Sequence, residues 1–590
     1  MWNFWLQIKN FFVNLGNGLR LLFKLKRQQI PQILENFSQK EFYVLLATLA
    51  LIILSGGFLL IQGFSEQGPG PHVGGELTEG LVGQPQFINP VLALTSSVDT
   101  DISRIVYAQL LKFDQNQNLA PDLALALPEV GKDQKTYTLH LKPDLKWQDG
   151  KPLNADDVMF TITTIQNPDF ESPLRPNWTR VKVVKVDDLT LTFQLREVSA
   201  SFMTNFALGI IPKHLWESLS PRNFRLSDMN LKPVGSGPYT IREIKKTSDG
   251  NIKTMTLRSN SNYYQGESYI STLTFRFYDD YDGLINAYQG KEIQSLGYVP
   301  FDKKAFLADN DKVNQYRANL PQYEAVFFNL KNSLLQDKSL RQALWLATDR
   351  TPIINDVYNG NTAPSYGPIL PGTLGYNAAI ESSVHLDLDE ARSILEKAGW
   401  VLNPETNIRE KTTGKTATNP GVAKPLEFNL ALSGSLVLNV KTAQILQAQW
   451  AQIGVKVNLI VVGPNDLETQ FIRPRAFDAL LFSENVGSDP DPFPFWHSTQ
   501  ARDPGLNLSG LNNTEADKLL TDARQNSDPA SRTKDYLRFQ EIINGEIPAI
   551  FLVRSLYIYN VPKKIQGISL ENIVQPSERF LDINHWYFSN

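Results

Sequence analysis

The chain has 590 residues, of which 42% are hydrophobic, 20% charged and 11% aromatic. That is the composition of a folded globular protein and excludes wholesale disorder, collagen and coiled coil. Lys and Arg number 57 against 61 Asp and Glu, a net charge of −4 that argues against a nucleic-acid partner. Cysteine is absent, which removes disulfides, thiolate catalysis, Cys-ligated zinc, iron–sulfur clusters and any lipid anchor on an N-terminal cysteine.

Residues 1–41 set Trp, Phe and Leu between basic residues and read as a cytoplasmic juxtamembrane segment lying on the lipid surface. Residues 42–61 (FYVLLATLALIILSGGFLLI) carry no charge. At 1.5 Å per residue this run reaches about 30 Å, one hydrocarbon thickness, and reads as a transmembrane helix. Six basic and two acidic residues precede it, whereas 51 basic and 59 acidic residues follow. The positive-inside rule therefore puts the N-terminus in the cytoplasm and everything after Ile61 outside. A cleaved signal peptide is the rival reading. Its apolar region runs to about 7–15 residues and ends at an A-x-A-like site, and Gln62-Gly63-Phe64-Ser65 offers none. The expectation is a single-pass protein of the cell membrane, in contact with the bilayer through residues 42–61. Residues 62–75, rich in Gly and Pro, form a flexible linker.

Beyond the linker, strand and helix signals alternate unevenly. Tyr137, Leu139 and Leu141 alternate with polar residues, as a half-buried strand does. Asp149-Gly150 is a turn pair, and Asn154 caps a helix whose stripe is Val158, Ile162 and Ile165. Leu191, Phe193 and Leu195 predict a second strand; Leu273, Phe275 and Phe277 predict a third. Gly235-Ser236-Gly237-Pro238 reads as a tight turn, because Pro238 lacks a donor that a phosphate cradle needs. Ala391, Ile394, Leu395 and Ala398 predict a helix stopped by Gly399. The polar stretch 403–424 predicts an exposed hairpin or loop. Ala443, Leu446, Trp450 and Ile453 follow at helical spacing up to Gly454, and Val455, Val457, Leu459 and Val461 then alternate as a strand. The sum is a large mixed α/β protein.

Catalytic signatures are missing. There is no H-E-x-x-H, G-x-S-x-G or G-x-x-x-x-G-K-[ST], and no histidine has another within five residues. No catalytic residue, metal site or cofactor is expected.

Seven stretches in chain order carry a resemblance. Residues 137–168 (YTLHLKPDLKWQDGKPLNADDVMFTITTIQNP) hold a Lys-aromatic-x-Asp-Gly-x-Pro-Leu core followed by Ala-x-Asp-Val. Residues 86–114, 235–239 (GSGPY), 327–372, 389–400 (DEARSILEKAGW), 445–461 and 478–495 accompany it. Together they resemble the family 5 extracellular solute-binding proteins, the peptide- and nickel-binding receptors of ABC importers. Many members of that family are secreted or lipidated at a cysteine, whereas this chain reads as keeping a membrane helix.

The resemblance implies a two-lobed, periplasmic-binding-protein-like α/β fold of the hinged-trap class. Lobe one would be residues 76–325 completed by 549–590, with an inserted subdomain at about 118–230, and lobe two residues 326–548. The implied function is to capture peptides in the cleft between lobes and deliver them, chemically intact, to an ABC transporter permease, with the receptor a monomer. A buried peptide ammonium needs a carboxylate partner. In peptide-binding relatives it comes from an aspartate in a segment resembling residues 478–495. Asp489 and Asp491 are the candidates, with Asp489 favoured; the alternative is that the Asp-Pro-Asp-Pro run only caps turns. Phe495 and Trp496 would form an apolar wall or belong to the core. Thr95, Ser96 and Ser97 would meet the cleft, and Tyr323 and Asn329 would lie at the crossover between lobes. The competing readings are an extracytoplasmic hydrolase acting on peptide or glycan, and a receptor for a nickel chelate or oligosaccharide.

Overall fold

The computed structural model describes residues 70–299, 312–383, 385–413, 421–435 and 437–589, with a few isolated positions between 38 and 55. The predicted cytoplasmic segment 1–41, the transmembrane run 42–61 and linker residues 62–69 therefore lie almost wholly outside the described residues. Among the described residues no helix is long and apolar enough to cross a membrane. The chain divides into two units, residues 1–72 and 73–590, and the second carries the sheets and cores of the protein.

Strand β1 (Glu76–Val82) leads to helix α1 (Ser97–Val106), which starts where Ser96 accepts a hydrogen bond from the Asp99 N–H (3.3 Å). Next come β2 (Glu129–Val130), β3 (Thr136–His140), α2 (Ala155–Gln166), β4 (Val181–Lys185) and β5 (Thr190–Leu195). The start of α2 is a capping box: Asn154 Oδ1 accepts from Asp156 N–H and Asp157 Oδ2 accepts from Asn154 N–H. Then follow β6 (Tyr239–Lys246), β7 (Ile252–Ser259), β8 (Thr272–Tyr278), β9 (Ser295–Leu296) and the 16-residue β10 (Val313–Phe328). The later part holds α3 (Lys338–Leu346), α4 (Leu388–Lys397), β11 (Glu427–Ser433), α5 (Val437–Ala451), β12 (Lys456–Val462), β13 (Ala479–Asn485), α6 (Thr514–Arg524), α7 (Pro529–Glu546) and the 14-residue β14 (Ala549–Pro562).

One eleven-stranded mixed sheet runs β12-β11-β13-β10-β14-β9-β1-β8-β7-β6, and Ala363–Pro364 adds to β14. A separate four-stranded antiparallel sheet, β2-β3-β5-β4, lies within residues 129–195. Stretch 403–424 contributes the strands Arg409–Thr413 and Val422–Pro425 to a three-stranded sheet, a hairpin as its polarity predicts.

Three large apolar cores result from this layout, with a small fourth around Leu284, Ile293 and Leu296. The first joins β1, β8, α1, α2 and the small sheet, and reaches Ala318 of β10 and Tyr557, Tyr559 and Val561 of β14. The second and third lie on opposite faces of the other half of the large sheet. Val326 and Phe328 face one, and Tyr323, Ala325 and Phe327 face the other, the period-2 alternation of a strand buried on both sides. Strands β10 and β14 thus pass from the first core into the other two. Between Asn319 and Tyr323 their pairing shifts register, and it shifts again between Glu324 and Ala325. A bulge at the passage bends the strands and leaves Leu320, Pro321 and Gln322 outside the β10–β14 ladder.

Two local features anchor the first half. Trp178, Phe193, Phe202 and Phe206 pack edge-on under the small sheet, with centroids 4.9–6.2 Å apart. At about 25 cal/mol per Å² and roughly 150–250 Å² each, such rings contribute about 4–6 kcal/mol apiece before entropy. The second is a buried ion cluster. Arg579 donates to Glu79 Oε1 (2.6 and 3.1 Å) and to Asp101 Oδ1 (2.9 Å) and Oδ2 (2.6 Å), with Arg579 and Glu79 fully buried. Ser295 and Tyr559 donate to the other Glu79 oxygen. The cluster ties the C-terminal residues to β1, α1, β9 and β14.

The predicted turn at 235–238 has a tertiary cause. Gly237 N–H donates to the Val106 carbonyl (2.8 Å), and a Cβ on Gly235 would sit 1.9 Å from that same oxygen. Gly235→Ala must push the segment off the end of α1. We expect a loss of at least about 3 kcal/mol, the scale of a severe steric and backbone change, read as a fall in the urea midpoint.

Candidate functional site

Passage strand β10 and its neighbour β13 each carry one buried carboxyl. Glu324 and Glu484 are 3% and 4% exposed, and each has one carboxyl oxygen without a hydrogen-bond partner. Tyr323 pairs with Glu484 across β10 and β13, and its hydroxyl donates to Glu484 Oε2. Tyr358 donates to Glu324 Oε2 at 3.5 Å on the opposite face of the sheet. Burial pushes Glu324 up to about 7 and Glu484 up to about 8.

These shifts set a sign. At acid pH both folded and unfolded chains hold the protons. Above about 4.5 the unfolded carboxyls ionise freely while the folded ones keep their protons, so stability falls as pH rises and levels off above about 8. Glu484→Gln should therefore gain melting temperature over wild type increasingly between pH 5 and pH 8, with no gain near pH 4. Thermal unfolding across that series checks it.

Beyond β13, residues 486–492 form the Asp-Pro loop, which runs into a short helical turn at Phe493–Trp496. Here both Asp489 oxygens are taken: Arg532 Nη1 donates to Oδ2 at 2.9 Å and Nη2 donates to Oδ1. The Arg532 guanidinium also reaches the Tyr536 hydroxyl (3.0 Å). Burial works against the Arg532 charge, but the Asp489 bonds outweigh it and hold the cation firmly protonated. Asp491 lies 3.1 Å from Arg524 Nε, and burial pushes its carboxyl up against that attraction. Helices α6 and α7 thus clamp the loop with one arginine each. An incoming ammonium at Asp489 would have to share oxygens with Arg532.

The other predicted residues fall into two groups. Trp496 is 1% exposed between Phe327 and Phe551, with centroids 6.0 Å from each, so it is core and not an open wall; Phe495 is half-buried beside it. Tyr323 is likewise core, with its hydroxyl spent on Glu484. Asn329 donates to the carbonyls of Arg475 and Phe477 and lines a cavity of about 300 Å³ with Lys331 and Asp478. Thr95 and Ser97 are exposed, and Ser96 is the α1 cap. Reading the sequence alone missed Glu324, Glu484, Arg524 and Arg532. Acids in strands were the available signal for the first two, since a strand buried on both faces has no place for an unpaired one.

Apart from the passage strands, a side-chain contact links the two halves. The turn after β2 presents Gln134, whose Oε1 accepts from Ser527 N–H (3.2 Å) and Ser527 Oγ (3.0 Å) in the α6–α7 connection, 393 residues away. For metal ligands, His385, Asp387 and Glu390 offer atoms within 4.8 Å of one another. Asp387 is already the α4 cap, accepting from Glu390 N–H at 2.8 Å, and His385 and Glu390 are exposed.

Two sets of strands joined by two long passage strands define a two-lobed mixed α/β fold of the periplasmic-binding-protein kind. The solved structure of the oligopeptide-binding protein AppA from Bacillus subtilis in complex with a nonapeptide matches with TM-score 0.64 and 26% identity, covering 88% of this chain and all of that one. The ABC transporter substrate-binding protein CtaP from Listeria monocytogenes matches with TM-score 0.73 and 26% identity, again over 88% and 100%. In sequence the chain is 28% identical to the oligopeptide-binding protein AppA of Bacillus subtilis (strain 168) over 526 residues, 88% of this chain and 92% of that protein. It is 26% identical to the dipeptide-binding protein of Escherichia coli (strain K12) over 82% and 90%.

Residues 118–505 match the family described as bacterial extracellular solute-binding proteins, family 5 Middle. The chain belongs to that family, whose defining activity is binding and not turnover.

Proposed function

We propose that this protein is a membrane-anchored, extracytoplasmic receptor that captures peptides between its lobes and presents them to an ABC transporter permease. The observation that carries the reading is the pair of bulged strands, β10 and β14, passing between separate cores. Each lobe keeps its own core when the strands flex at residues 319–323, so closing costs little packing. Lobe one is residues 76–325 completed by 549–590, with the subdomain at 118–230 inserted, and lobe two is residues 326–548, except that Tyr323, Ala325 and residues 549–553 of the passage strands pack in the second and third cores and so go with lobe two. The peptide cargo is supported by the named ligands of the AppA complex and of the dipeptide-binding relative. Anchoring is supported by the uncharged run 42–61 and its basic flank. Residues 95–97 and the loop holding Asp489 and Asp491, with Phe495 beyond it, line the two sides of the cleft.

Calorimetry with free and N-acetylated peptides of two to nine residues tests the reading. Binding is expected, with loss of affinity on acetylation if a carboxylate of the loop meets the ammonium. A folded protein that binds no peptide of a broad set refutes it, and mass-spectrometric detection of cleaved peptide would favour the hydrolase instead.

A further inference from the structure

Helix α1 has two faces. Val98, Ile102, Ile105 and Val106 enter the first core. Thr100, Ser103, Arg104 and Tyr107, spaced three and four apart along the helix and its C-cap, line a cavity instead. The rest of its wall is mostly apolar, with Pro90 and Leu94 from the stretch before α1 and Leu174 and Leu208 from the inserted subdomain, and Gln109 and Gln575 add two carboxamides. The cavity therefore lies where lobe one meets that subdomain, beside the residues proposed to face the cleft. Leu94 is 48% exposed.

Size, charge and hydrogen bonding each narrow what fits. A cavity of about 80 Å³ admits several water-sized groups, at roughly 10–15 Å³ each. It suits a compact polar head on an aliphatic stem. The Tyr107 hydroxyl is buried and has no hydrogen-bond partner, a state that leaves a donor and an acceptor to be satisfied. Arg104 is buried, with Nη1 donating to Gln109 Oε1 and Nη2 3.6 Å from Glu578. Asp101 and Asp122 also act on its charge. Glu578 already faces Arg104, and Asp101 is held by Arg579, so no unpaired cation is left for a carboxylate and a neutral group is preferred.

We propose that this cavity is a subsite for a carboxamide side chain, of the Gln or Asn type, carried by the bound peptide. The inference rests on the peptide-receptor reading above. A carboxamide offers both a carbonyl acceptor and N–H donors to Tyr107 and Arg104, and its methylene stem lies against Leu94, Leu174 and Leu208.

The test is calorimetry with the extracytoplasmic protein and tripeptides in which Gln, Glu or Leu is placed in turn at each position of an alanine frame. Wild type should bind one Gln peptide roughly tenfold more tightly than its Glu and Leu counterparts, the factor given by one net hydrogen bond. Tyr107→Phe removes only the unpaired hydroxyl. It should fold with an equal or higher melting temperature, keep its affinity for the Leu peptide and lose the Gln preference. Ser103→Met, which fills the cavity, should do the same. Equal affinities for all three side chains in wild type overturn the subsite while leaving the receptor reading standing. A Gln preference that survives both variants places the selection elsewhere and also overturns it. Failure of every tripeptide and every longer peptide to bind overturns both.

Discussion

Arg579→Ala is expected to cost about 3–5 kcal/mol, the usual penalty for removing one partner of a buried ion pair. The reason is what it leaves behind. Glu79 and Asp101 would remain in the core as two carboxylates without the cation that bonds them, and Glu79 would keep only Ser295 and Tyr559. Neutralising the partners should restore much of the loss, so Arg579→Met with Glu79→Gln and Asp101→Asn should be more stable than Arg579→Ala alone. Denaturant midpoints of the extracytoplasmic unit read both effects. A single-variant loss under about 1 kcal/mol would mean the cluster does not hold the C-terminal residues in place.

Asp489→Ala should rank next, again at about 3–5 kcal/mol, because the Arg532 side chain is only 6% exposed and would lose the carboxylate that both its Nη atoms bond. This expectation separates two roles for one residue. If Asp489 acts through Arg532, Asp489→Ala and Arg532→Leu each destabilise, and the double variant falls well short of their sum. If Asp489 serves only a ligand ammonium, stability is unchanged and discrimination between free and N-acetylated peptides disappears. The clamp geometry favours the first outcome, and measuring both unfolding and binding for the three variants decides it.

Local structure was legible wherever a residue's neighbours in sequence determine its environment. The stripe Val158, Ile162 and Ile165 behind Asn154 gave helix α2, and Leu273, Phe275 and Phe277 gave β8, because periodicity and capping act over a few residues. Gly399 and Gly454 sit at positive φ just past the ends of α4 and α5, as helix stops require. The site was far less legible. Asp489 meets Arg532 across 43 residues and Glu79 meets Arg579 across 500, and no local pattern encodes such pairs. The run Phe493–Trp496 has no period that says which ring is core, so Trp496 read equally well as wall or interior. The glycines at 235 and 237 read as a turn, whereas the structure makes them the residues that let the segment touch Val106.

The Gln134–Ser527 contact has a thermodynamic consequence. Its two hydrogen bonds contribute about 1–3 kcal/mol together, which corresponds to a factor of roughly 5–150 in a two-state equilibrium. In the proposed hinged trap, such a catch biases the empty protein towards the shut form without fixing it there. Cargo then has less to supply on capture, while thermal fluctuation still reopens the trap for unloading. On the proposed receptor reading, the small sheet is no passive appendage: it tunes how readily the unloaded trap opens.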